Sequence, residues 1–343
     1  MKTILVATDY SKEARKAFVY ALEMASLTKA NILLLHAFHK PLKLNDAVRF
    51  EDAVKELEKE ENTILREYAT EVKTEVCKNF SLQFNCKANN DPANSQPPGV
   101  SQETGQFTAS GTQFHTVQED KRVAEIAVIK INCISKLGWA ADEIITAAKN
   151  HKADLVVMGT RGAGAIRQAF LGSTVGAVIQ SGKVPVLALP QNTIFKEIKS
   201  IVFACDLSKI PDITNLNTLR GWVKSFEANL TILHIYQEPE RKKEEEKTLT
   251  ALAILDKAFF DLNYKVYFQQ QPDIAEGIQA FTESHPNDLL VLAPNQHTFL
   301  EKLLQKTVTG KITANPFLPF LTLPGPTKSN RLRVEKKLLN EQQ

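Results

Sequence analysis

Cysteine is scarce and unpatterned in this chain: Cys77, Cys86, Cys133 and Cys205 form no Cys-x2-Cys pair and no metal-ligand spacing. A disulfide scaffold or a zinc module therefore has no support, and free thiols in a reducing compartment are expected. An excess of one charge is missing too. The 42 basic and 39 acidic residues leave a net charge of +3, too small to argue for a nucleic-acid or membrane-surface partner. No apolar run approaches the roughly 18 residues of a membrane span. The run Ile4-Leu5-Val6-Ala7 meets Asp9 too early for a signal-peptide core, so the expected location is the cytoplasm. No Gly-Lys-Ser/Thr follows a glycine loop, and no dinucleotide fingerprint follows the first strand. No Ser-His-Asp order, paired carboxylates or nucleophile elbow can be assembled.

What remains is an ordinary globular composition, 43% hydrophobic and 24% charged over 343 residues, a length suited to about two domains. The chain opens as strand, helix, strand. Ile4 to Ala7 and Ile32 to Leu35 are continuous apolar runs of the kind found in parallel strands covered on both faces. Between them Ser11 stands at an N-cap position, and Ala14, Ala17, Phe18, Ala21, Leu22 and Ala25 recur at helical spacing. A long amphipathic helix is predicted from about Glu51 to Cys77. From about Asn79 to Lys121 the pattern gives way to Asn, Ser, Gln, Gly, Thr and Pro, which reads as an irregular insertion. Ala127 to Ile134 is predicted as a strand, Ala140 to Asn150 as a helix, Leu155 to Met158 as a strand, Thr174 to Ser181 as a helix, and Val184 to Pro190 as a strand whose early proline suits an edge or a strand beginning.

The order then repeats. Ile201 to Asp206 answers Ile4 to Asp9, and Asn229 to His234 answers Asn31 to His36. Asp288 to Leu292 answers Asp154 to Met158, and Pro319 to Pro324 answers Pro185 to Pro190. Matches in one order along the chain indicate an internal duplication. The expected architecture is α/β: two tandem open, mostly parallel five-stranded sheets flanked by helices, with right-handed crossovers. The boundaries are 1–192 and 196–325, followed by a polar tail, 326–343.

Ligands of open α/β sheets bind beyond the carboxyl ends of the strands, and Met158-Gly159-Thr160-Arg161-Gly162-Ala163-Gly164 lies at such an end. Glycines let a backbone turn tightly and bring its N–H groups against an anion. Taken alone, the cluster reads equally as a tight turn. Further on, Gly172-Ser173-Thr174 stands at a predicted helix start, where free N–H groups and the helix dipole favour phosphate.

Here the chain resembles the universal stress protein family, whose ATP-binding members carry Gly-x2-Gly-x9-Gly followed by Ser or Thr; Gly159, Gly162, Gly172 and Ser173 reproduce that spacing. The resemblance extends to Val6-Ala7-Thr8-Asp9-Tyr10-Ser11, Leu34-Leu35-His36-Ala37 and Val184-Pro185-Val186-Leu187. It implies a Rossmann-like fold and ATP, or another adenine nucleotide, as ligand, with or without Mg2+. Asp9 would contact the adenosine portion, with Ala7 and Thr8 beside it among the nucleotide-binding residues, Ala37 would line the adenine pocket through its backbone, and Met158 and Gly159 would flank base and ribose. Arg161, Gly162, Gly172, Ser173 and Thr174 would hold the phosphates. It also implies that the halves pack as an internal pseudo-dimer through their fifth strands, and two such chains would be able to associate as a homodimer.

The second half departs from the motif. Ala293-Pro294-Asn295-Gln296-His297 follows its fourth strand, and Leu304-Gln305-Lys306-Thr307-Val308 stands where Leu171 to Val175 stand in the first, so the phosphate-loop glycines are gone although Asp206 survives. One nucleotide per chain is expected, in the first half. Two local alternatives stand beside these roles: Asp9 also suits a helix-capping carboxylate, and His36 with His39 forms a His-x2-His pair without further ligands, better suited to a structural role. Three functional readings are open: an ATP-binding regulatory protein, a slow ATPase or other adenylate-handling enzyme, and a nucleotide-free interaction scaffold working through the 79–121 insertion.

Overall fold

A computed structural model of the chain describes residues 1–40, 49–89, 121–160, 171–191, 193–207, 213–236, 238–293 and 318–325. The first half runs β1 (Thr3–Thr8), α1 (Lys12–Thr28), β2 (Asn31–Phe38), α2 (Phe50–Asn89), a helical segment α3 over 121–128, β3 (Ile131–Leu137), α4 (Ala140–Asn150), β4 (Leu155–Gly159), α5 (Ser173–Ser181) and β5 (Val186–Leu189). The second runs β6 (Ser200–Ala204), α6 (Ile213–Phe226), β7 (Asn229–Tyr236), α7 (Glu238–Ala258), β8 (Tyr264–Gln270), α8 (Ile274–Ser284), β9 (Leu289–Leu292) and β10 (Phe320–Thr322).

The two expected sheets are joined into one of ten strands, ordered β3-β2-β1-β4-β5-β10-β9-β6-β7-β8. Within each half every pairing is parallel, while β5 and β10 meet antiparallel, with Leu187 opposite Leu321. That reversal places the carboxyl ends of the first-half strands on one edge of the sheet and those of the second half on the opposite edge. The central strands are buried on both faces, as their apolar runs require. Ile4, Val6, Ile32, Leu34, Leu155 and Val157 point to the face covered by α1 and α2, and Leu5, Leu33, Leu35, Val156 and Met158 to the face covered by α4 and α5. Both cores continue past the β5/β10 join, through Leu187, Leu321 and Phe203 on one face and Ala188, Phe320 and Val202 on the other.

The two halves match in one pair of hydrogen bonds as well as in strand order. Asp154, just before β4, accepts from the backbone N–H groups of Lys2 and Thr3 at 2.6 and 2.9 Å; Asp288, just before β9, accepts from those of Lys199 and Ser200, both at 2.9 Å. In each half one carboxylate therefore clamps the start of the first strand to the start of the fourth. The helix ends obey local chemistry. Ser11 caps α1 by accepting from the Ala14 N–H, Asp273 caps α8 by accepting from Ala275 and Glu276, and Lys29 closes α1 in the left-handed conformation.

Two expectations are corrected. Helix α2 runs to Asn89, through the first eleven residues of the segment read as irregular from Asn79. No Gly or Pro interrupts the chain between Phe50 and Asp91, and extending an existing helix costs far less than starting one. The strand read over Ala127–Ile134 begins instead at Ile131, and residues 121–128 are helical. Ile126 and Ile129 are buried while Val128 is exposed, so the apolar run there follows a helical turn into the strand and not a strand's alternation. The rest of the 79–121 segment and the tail lie outside the described residues. Among the described residues no helix is long and apolar enough to cross a membrane.

Candidate functional site

In the order β3-β2-β1-β4-β5 the chain changes direction across the sheet between β1 and β4, and this switch leaves a crevice at their carboxyl ends. Strands β1 and β4 pair as far as Val6 opposite Val157, and Ala7, Thr8, Met158 and Gly159 follow that last pair on the same edge. On the other side of β1, Thr8 pairs with His36, and Ala37 follows at the end of β2. Seven of the sequence-derived residues, Ala7, Thr8, Asp9, Ala37, Met158, Gly159 and Gly172, thus gather at one edge, with Ser173 and Thr174 opening α5 beside them. Arg161 and Gly162 lie outside the described residues.

The glycine loop leaves and returns through a built gate. Thr160, buried, donates its N–H to the Leu189 carbonyl at 2.9 Å, and its own carbonyl accepts from the Gly172 N–H at 2.6 Å. The two ends of the loop are therefore fastened to each other and to β5. Gly172 is the N-cap of α5, with φ −69° and ψ 154°, and gives that helix no side-chain cap. Helix α4 also starts without one, on Trp139. What separates α5 is its place at the return of the loop that leaves β4, its start fastened to Thr160; helix starts carry free N–H groups of the kind that bind anions.

The turn from β1 into α1 shows what the carboxylate of Asp9 does. Its Oδ1 accepts from the Ser11 N–H at 3.0 Å, a turn closed two residues on, and the cap of α1 belongs to Ser11 itself. Asp9 remains exposed at the crevice. Tyr10 is the residue that sequence reasoning missed. It sits at φ 61°, a left-handed conformation that costs a tyrosine about 1 kcal/mol or more. Its N–H donates to Thr8 Oγ1 at 3.1 Å, and its ring lies 4.4 Å from the His36 ring and 5.1 Å from that of Tyr68. Burial, then the Glu61 carboxylate, pushes the Tyr10 phenol up to about 12, so it stays protonated. No signal in the sequence marks a tyrosine for this conformation, which is compensated by packing against side chains distant along the chain.

His36 is accounted for by structure. Its Nδ1 lies 2.8 Å from the Thr8 carbonyl, tying the ends of β1 and β2 together. His234 repeats the tie in the second half, 3.3 Å from the Cys205 carbonyl. His39 packs edge-on against Trp139 at 4.7 Å. Among the described residues no three His, Cys, Asp or Glu groups cluster as metal ligands. Residues 294–317, where the second half would carry its counterpart loop, lie outside the description.

The architecture agrees with solved structures. A universal stress protein from Archaeoglobus fulgidus superposes with a TM-score of 0.56 over 94% of this chain and 98% of its own, at 18% sequence identity, which shows a shared fold. Among curated proteins, a universal stress protein of Thermus aquaticus is 50% identical over 50 residues, 15% of this chain and 36% of that one. Another from Methanocaldococcus jannaschii is 39% identical over 69 residues, 20% of this chain and 41% of its own. The matched stretches thus span about two fifths of these relatives' length. The sequence model of the universal stress protein family matches residues 1–190, which hold β1 to β5 and the whole candidate site. With more than half of its length matched, the chain belongs to the universal stress protein family.

Proposed function

We propose that this chain is a nucleotide-binding regulatory protein of the stress response, holding one adenine nucleotide on the carboxyl edge of its first half. The adenosine portion lies against Ala7, Thr8, Asp9 and Ala37, with Met158 and Gly159 flanking base and ribose. The phosphates take the N–H groups of Gly172, Ser173 and Thr174, together with Arg161 and Gly162 of the intervening loop. The observation that carries this reading is the fastening of Gly172 to Thr160 at 2.6 Å, which fixes an uncapped helix start beside the β1/β4 switch point. The reading is a ligand-responsive protein, with slow ATP hydrolysis as the alternative; phosphate release by the wild type above a Gly172→Val control would favour that alternative.

The second half is read as a domain without nucleotide, because Ala293-Pro294-Asn295-Gln296-His297 replaces the glycine loop with side chains. Its role is to provide, within one chain, the partner that pairs with β5.

Equilibrium dialysis with ATP tests both statements. The expected result is one nucleotide per chain, lost in Gly172→Val. Residue 172 has an extended backbone that valine adopts without strain, so the fold should survive and only phosphate space be filled. Two nucleotides per chain would overturn the assignment to one half, and undiminished binding by Gly172→Val would overturn the site.

A further inference from the structure

Trp139 is 73% exposed, and exposure alone does not distinguish it, since Val128, Ile194 and Phe260 are exposed to a similar degree. Its position does. It stands two residues past the end of β3, on the same edge of the sheet as the candidate site, and its turn is built to hold it there. The Gly138 N–H donates to the Phe38 carbonyl at 3.1 Å, tying the end of β3 to that of β2 one residue past Ala37. Gly138 also makes room for Glu143: a Cβ at 138 would lie 2.6 Å from Glu143 Oε1. The Glu143 N–H donates to the Trp139 carbonyl at 3.0 Å, starting α4 on the indole. His39, from the end of β2, meets that indole edge-on at 4.7 Å. Two aromatic rings from neighbouring strand ends thus form an exposed lip that no core packing explains.

We infer that Trp139, supported by His39, is the surface on which the base of the bound nucleotide stacks, and that it sets a preference for a ligand carrying an aromatic base over a bare polyphosphate. The inference rests on the nucleotide reading above. Helices α4 and α5 lie side by side on one face of the sheet and start at the same edge, one on an indole and the other on a glycine fastened beside β4. From β4 to β3 is three strand spacings, about 14 Å. Phosphates at the α5 start and a base above Ala37 put the outer side of that base against the β3 end, where an aromatic face attracts it and a solvated side chain would not.

The test is ATP and inorganic tripolyphosphate binding measured by equilibrium dialysis on the full chain, for wild type, Trp139→Ala and Trp139→Phe. ATP should bind Trp139→Ala about ten-fold more weakly, within the range of one lost stacking contact, and Trp139→Phe should recover most of that loss. Tripolyphosphate affinity should be the same in all three. The wild-type emission spectrum minus that of Trp139→Ala isolates this indole from Trp222, and ATP should quench the difference. Unchanged ATP affinity in Trp139→Ala would overturn this inference and leave the nucleotide reading intact. Equal weakening of tripolyphosphate would show a merely structural effect and overturn it too. Absence of ATP binding to the wild type would overturn both.

Discussion

Leu321→Ala addresses the join between the halves. Leu321 is fully buried in the middle of the three-residue strand β10, opposite Leu187 of β5 and beside Val291 of β9, both fully buried as well. Its side chain lies in the core that runs from α1 and α2 across to α6. Truncation removes the transfer free energy of the lost carbons and leaves a cavity that neighbouring strands, locked in register, are poorly able to close, so the cost should be near 3 kcal/mol. Because both cores cross the join, this loss should be felt by the whole chain and not by the second half alone. In a Trp139→Phe background, urea unfolding followed by far-ultraviolet circular dichroism, by Trp222 emission from the second half, and by hydrogen exchange of the β1 and β2 amides in the first should give coincident transitions. All should shift in the variant by the same free energy. If Trp222 moved to lower urea while the β1 and β2 amides kept their wild-type protection, the claim of one continuous core would be refuted; so would a cost below about 1 kcal/mol.

Glu23 on α1 has its carboxyl pushed up from 4.5 to about 7, by burial first and with Arg122 opposing. A raised carboxyl stabilises the fold fully below the unfolded value and loses that contribution as pH rises through the folded one. Wild type should therefore lose about 3 kcal/mol of stability between pH 4.5 and 8 relative to Glu23→Gln, in denaturant titrations across that range; equal pH profiles would refute it. Asp273→Ala removes the two hydrogen bonds that cap α8 and should cost about 1 kcal/mol by the same titration. Burial pushes the Cys205 thiol well above its ordinary range, so thiol labelling read by mass spectrometry should find it modified only after unfolding, and rapid labelling of the native protein would contradict its burial.

The fold was legible where one residue's neighbours along the chain decide its state. Ile4 to Ala7 and Ile32 to Leu35 announce strands because a continuous apolar run has nowhere to go but between two covered faces, and Ser11 announces α1 because its hydroxyl reaches the Ala14 N–H. The like order of the halves was legible from matching segments, and Asp154 and Asp288, which begin one such pair, make the same clamp. Boundaries were lost where the pattern allowed two states: Ile126 to Ile131 is apolar in both a helical turn and a strand, and only the contacts of Ile126 and Ile129 separate them. At the candidate site the sequence singled out Gly172, Thr8 and Met158, which the fold brings to one edge of the sheet. The conformation of Tyr10 and the gate between Thr160 and Gly172 depend on residues far away in the chain, and local sequence does not encode them.

The place of β10 bears on how the protein is made. It lies at the centre of the sheet, between β5 and β9, yet it is the last of the described strands to be synthesised, 131 residues after β5 is complete by the numbering Leu189 to Phe320. While the ribosome works through that interval, β5 presents four apolar residues and an unpaired backbone edge, a template for wrong pairing with another nascent chain. The joined sheet thus trades a stable finished edge for a vulnerable interval in biosynthesis, and chaperone capture of ribosome-bound chains should end when Thr322 clears the exit tunnel.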